Sequence, residues 1–149
     1  MLLLATVAVL AALTACTEPA AEKPAGCATQ KAADEAAVRT TRWDPPAQLA
    51  ALGEYVEIHW QARALGDPCS RAPGPTDWSY QGVVKLRPED AKALAAKPGW
   101  QPATPQIWPA LAEFAPPGAA WQRADGADQG PIIYLDAANA RALFSITTS

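Results

Sequence analysis

The sequence has one histidine and three cysteines in 149 residues. No two cysteines stand in C-x-x-C spacing, so a local dithiol redox pair is excluded. One histidine and so few thiols cannot build a typical zinc site. No serine lies in a G-x-S-x-G elbow, and no second histidine could serve as an alternative base. Neither G-x-G-x-x-G nor a phosphate loop occurs. Asp125, Asp128 and Asp136 gather acidic charge around a turn, but without the spacing of an EF-hand loop. Lys and Arg total 12 against 15 Asp and Glu, a net charge of −3. No basic cluster appears, which argues against nucleic acid as a partner. The reading at this level is therefore no metal, no cofactor and no nucleic acid.

What the chain has in plenty is proline and tryptophan, fifteen and six residues respectively. Prolines break elements and stiffen loops. Tryptophans supply core area where large aliphatics are few. Once the first fifteen residues are set aside, about 130 remain, enough for one domain with a real core.

Residues Met1–Ala15, MLLLATVAVLAALTA, carry no charged side chain. A membrane-spanning helix needs about 20 apolar residues, so this run is too short. It suits the apolar region of a secretory signal. The basic residues that usually open such a segment are missing, which is consistent with a start upstream of Met1. The run ends in Leu13-Thr14-Ala15-Cys16. This resembles the lipobox of bacterial lipoproteins. The resemblance implies that the Cys16 thiol is acylated (palmitate being a typical chain) and that a peptidase cuts before it. Two chains hold a protein where one is marginal, because each buried methylene contributes about 0.8 kcal/mol. The alternative is an ordinary signal peptide with an incidental cysteine. Residues 16–26 then form a lipid-anchored tether. Its stretch TEPAAEKPAG has no large apolar side chain and cannot fold by burial.

Assigning Cys16 to lipid leaves Cys27 and Cys69 in an oxidising compartment, where a disulfide is the simplest reading. Two free buried thiols are the alternative. A bridge would tie the start of the 27–149 domain to the loop around Cys69.

Helix formers without glycine or proline predict a helix over 28–41. Ala47–Leu52 reads as a further helical turn. Tyr55–Leu65 alternates, with Val56, Ile58, Trp60, Ala62 and Ala64 on one face and Tyr55, Glu57, His59, Gln61 and Arg63 on the other. Ser79–Arg87 repeats the pattern, Tyr80, Gly82, Val84 and Leu86 inward and Gln81, Val83, Lys85 and Arg87 outward. Val83 is the one apolar exception. Pro88 opens a short helix with Glu89 and Asp90 in its first turn, and Pro98-Gly99 closes it. Residues 100–118 are proline-punctuated, with a short helix at Pro109–Ala115. Pro131–Leu135 and Ala142–Thr147 read as strands. The order α-β-β-α-(α)-β-β predicts an α+β domain: an antiparallel sheet of about four strands, helices on one face and the other face wet. The stretches KLRPEDAKAL, GWQP and IWPAL, followed by a terminal strand pair, resemble small lipoproteins of actinobacteria. That resemblance implies a location, the outer face of the cell membrane, and carries no activity.

For function, His59 shares a strand face with Glu57 and Arg63, and Lys85 is placed on the neighbouring strand. One reading makes His59 a general base oriented by Glu57, in a small extracytoplasmic enzyme. The other makes this a solvated face of cross-strand charge pairs. Trp60 is expected in the core, and Trp100 and Trp108 over the helix–sheet layer. Trp43, Trp78 and Trp121 fall in loops. Such rings suit recognition surfaces and also pack over prolines. The Pro-Gly-Pro stretch at 73–75 would present Trp78 on a stiff loop. The surface expected to bind is therefore Trp78, His59, Glu57, Arg63 and Lys85. The favoured function is a lipid-anchored binding module for an envelope protein, polymer or small molecule. A purely structural envelope protein is the third possibility.

Overall fold

The computed structural model describes residues 26–44, 46–70, 77–124 and 130–148. The signal segment 1–15, Cys16 and all of the tether but Gly26 lie outside the described residues. So do the Pro-Gly-Pro stretch at 73–75 and the acidic pair Asp125 and Asp128.

Helix α1 runs Cys27–Ala36 and begins after Gly26, whose φ of 101° is a left-handed conformation natural to glycine. It ends five residues before the predicted limit. Val38, Thr40 and Thr41 are β-branched and favour extended backbone. This stretch instead lies along the sheet edge, where Arg39 and Trp60 exchange both backbone hydrogen bonds at 2.7 and 2.9 Å. A 3-10 helix, Pro46–Leu52, follows. Strands β1 (Tyr55–Ala64) and β2 (Trp78–Leu86) pair antiparallel, as the alternation predicts. Helix α2 spans Pro88–Ala95 with Pro88 in its first turn. Then come β3 (Trp100–Pro102), a second 3-10 helix (Pro109–Phe114), β4 (Gln122–Ala124), β5 (Ile132–Asp136) and β6 (Arg141–Thr148).

The fold is α+β, but the described sheet has six antiparallel strands in the order β1-β2-β6-β5-β4-β3. The expected four-stranded sheet is corrected by β3 and β4. Each is three residues long, too short to show a period of two in the sequence.

One face of the sheet carries Ile58, Val84, Leu86, Leu135, Ala142, Phe144 and Ile146. Trp43, Leu49, Leu52, Ala91 and Leu94 cover it from the first 3-10 helix, its approach and α2. Trp43, read as a loop residue, is the hub of this layer. Its ring meets Trp60 and Tyr80 edge-on, both at 5.0 Å, and tilts against Phe144 at 5.4 Å. Alternation predicts Val56 inward, yet it is 59% exposed. A β-bulge between Tyr55 and Glu57 breaks the alternation there, so Tyr55 turns to the core instead.

The other face is not wet. Val83 and Leu143 pack under Leu111 and Trp121, with Ile107, Trp108, Phe114 and Tyr134 around them. The apolar exception Val83 belongs to this second core. The two glutamines that made the face look solvated are buried, Gln61 at 1% and Gln81 at 4% exposure. Gln81 donates to the Gln106 carbonyl at 2.8 Å and accepts from the Trp108 amide at 2.6 Å. It thereby holds an irregular stretch of chain against the sheet. Gln61 donates to the carbonyls of Glu35 and Ala36, both at 3.1 Å, and so caps the end of α1.

Cys27 and Cys69 form a disulfide with their Cα atoms 5.9 Å apart. The bridge fixes the start of α1, a helix with no buried residue of its own. No helix among the described residues is long and apolar enough to cross a membrane.

Candidate functional site

Strand alternation puts Glu57 and His59 of β1 on one face, with Lys85 of β2 beside them. The register sets Glu57 opposite Lys85, His59 opposite Val83, and Lys85 opposite Arg141 of β6. Glu113 and Phe114, at the end of the second 3-10 helix, close the space from above. The result is a cleft of about 120 Å³.

His59 is held from two sides. Its ring stacks on Phe114, 3.7 Å between centroids and 8° from parallel. Its Nε2 lies 2.7 Å from Glu57 Oε1. That hydrogen bond holds the Glu57 carboxyl below the ordinary glutamate range, against a smaller opposing effect of burial, and the charges of His59, Arg141 and Lys85 add to it. An ionised Glu57 only accepts, so Nε2 carries the proton. The other ring nitrogen, Nδ1, is buried and has no hydrogen-bond partner.

The geometry bears on acid–base chemistry. A general base must bring an unprotonated nitrogen within hydrogen-bond reach of the substrate. Here Nε2 faces Glu57 and Nδ1 is closed off from solvent. The pair has the spacing of a dyad but presents no free nitrogen to the cleft. Among the described residues, no group of three His, Cys, Asp or Glu side chains is placed to hold a metal ion.

The remaining predicted residues lie elsewhere. Arg63 is on the same face further along β1, and its guanidinium sits 4.1 Å from the centre of the Trp108 ring. It covers the second core rather than the cleft. Trp78 is the first residue of β2, not a loop residue, and belongs to the opposite face with Tyr80, 6.5 Å between ring centroids. There it lines a separate groove of about 280 Å³, with Cys27, Lys31 and Glu35 on the α1 side and Pro68 beyond. On the α1 wall, Lys31 and Glu35 pair at 2.6 Å, and Glu35 also accepts from the Ala64 amide at 2.9 Å. The bond from Lys31 is the main reason the Glu35 carboxyl is held below its ordinary range.

Three of the five predicted residues thus converge or nearly so, Glu57, His59 and Lys85. Sequence reasoning missed Arg141, Phe114 and Glu113. Arg141 opens a predicted strand, but only the β2–β6 register brings it to Lys85. No known family model, curated protein or solved structure matches this chain.

Proposed function

We propose that the chain is an exported protein anchored at the outer face of the cell membrane through acylated Cys16, and that its folded domain is a binding module. The Cys27–Cys69 bridge carries the export half of this reading. Such bridges persist in oxidising compartments, and this one leaves Cys16 as the only unassigned cysteine of the three. With it stand the Leu13-Thr14-Ala15-Cys16 sequence and the likeness to small actinobacterial lipoproteins. Ten residues separate Cys16 from Cys27. Fully extended they reach about 35 Å, so the domain would stay close to the lipid surface.

Binding is preferred to catalysis because of His59. Its Nε2 is taken up by Glu57 and its Nδ1 is buried, while the cleft offers a mixed polar and apolar wall and the Trp78 groove a mainly apolar one. Mass spectrometry of the mature protein tests the anchor and should find an N-terminal, acylated Cys16. Cys16→Ala should leave the membrane fraction. A mature end at any other residue, without lipid, would overturn the reading.

A further inference from the structure

We propose that the cleft beside Lys85 and Arg141 is a site for a carboxylate borne on a short carbon chain. The two cations are direct cross-strand partners on one sheet face. Like charges so placed repel and are destabilising unless something negative lies between them. Glu57 acts on both through its charge, yet no described carboxylate is paired with either. Glu57, across from Lys85, is bonded to His59. Asp136, across from Arg141, accepts from Asn139 at 2.6 Å. Among the described residues, neither Lys85 nor Arg141 has a carboxylate within 4.0 Å. A guanidinium at the edge of a cleft is best satisfied by a planar oxyanion.

Size and charge narrow the ligand. The cleft volume of about 120 Å³ corresponds to about four waters, at about 30 Å³ each. That admits a carboxylate and one or two carbons. Val83 and Phe114 supply apolar wall for the carbons. Glu57 and Glu113 also border the cleft, so a dianion such as phosphate would meet two negative neighbours. A singly charged carboxylate meets the same two cations with half that repulsion. The group could end a peptide or belong to a free small acid.

This site rests on reading the domain as a binding module. The full chain in uncharged detergent micelles, labelled with nitrogen-15, would be titrated with acetate, with N-acetylalanine and with N-acetylalanine amide at constant ionic strength. Both acids should shift the Lys85 and Arg141 resonances saturably in the millimolar range, and the amide should not. Tighter binding of N-acetylalanine than of acetate assigns a peptide end. Equal binding assigns a free acid. Arg141→Gln should weaken binding at least about tenfold, the worth of a charged hydrogen bond. Lys85→Gln, at an exposed position, provides the same comparison should Arg141→Gln not fold. Absent or non-saturable shifts, equal binding of the amide, or unchanged affinity in the variants would overturn the site. Conversion of N-acetylalanine to new resonances would instead overturn the binding-module reading.

Discussion

Gly82 sits in the middle of β2, between Trp60 on β1 and Phe144 on β6, its register partners on either side. Its backbone is not in the left-handed region, so the reason for glycine is space. A Cβ placed there would lie 2.5 and 2.6 Å from Phe144 Cε1 and Cζ and 2.8 Å from Trp60 Cβ. Carbon atoms in contact prefer about 3.5–4.0 Å, so each approach is about 1 Å too close. Phe144 is fully buried, with Trp43 packed against it. The Trp60 Cβ moves only with its strand. Overpacking of a filled core costs about 1–3 kcal/mol, and three simultaneous clashes put Gly82→Ala at the upper end. Relief of glycine's excess entropy returns about 0.5–1 kcal/mol. A net loss of about 2 kcal/mol, with a urea slope of about 1–2 kcal/mol/M, lowers the unfolding midpoint by about 1–2 M. Phe144→Leu in the same chain should recover part of it, with a coupling of about 1 kcal/mol in a double-mutant cycle. A Gly82→Ala midpoint equal to that of the parent chain, or strictly additive effects, would refute this account of the core.

Gln81→Leu should destabilise by about 2–4 kcal/mol, because it strands the Gln106 carbonyl and the Trp108 amide under a buried side chain; urea denaturation reads the loss. Replacing Cys27 and Cys69 by serine removes a cross-link spanning 42 residues, worth about 4 kcal/mol on the chain-entropy model. Hydrogen exchange should show α1 losing protection first, since that helix buries no residue. The lowered carboxyls of Glu35 and Glu57 contribute stability above the ordinary glutamate value of 4.5, and that stability is lost as pH falls below it. Glu35→Gln should therefore flatten acid unfolding in that range, as monitored by tryptophan fluorescence.

Much of this architecture is legible in the sequence. Alternation in residues 55–65 and 79–87 places β1 and β2 and sorts their faces, and Pro88 and Pro98-Gly99 bracket α2. It fails at Val56, where a bulge shifts the period by one and no local residue type announces it. Strands β3 and β4 escape because three residues cannot show a period, and Pro102 argues against a strand unless the strand lies at an edge, where β3 does lie. At the candidate site, Glu57, His59 and Lys85 follow from alternation alone. Arg141 and Phe114 do not, because their positions depend on pairing and packing between distant segments.

The misreading of the second face has one cause, and that cause also explains the cleft. Glutamines at 61 and 81 on a half-apolar strand read as a solvated surface. The layer above them, however, is irregular chain, a 3-10 helix and the open end of α1, whose backbone groups cannot all bond to one another. A sheet covered by such chain must itself supply donors and acceptors, since buried backbone groups need partners. Gln81 does so for residues 106 and 108, and Gln61 for the open end of α1. Each buried glutamine thus meets backbone groups that their own segment leaves unpaired. The cover stops at Phe114, which is stacked on His59. Beyond it the same sheet face continues with Glu57, Lys85 and Arg141 in adjacent register positions. The cleft is the boundary where the covered part of the face gives way to charge, which is why its cations have no partner from the layer above and why a small anion could supply one.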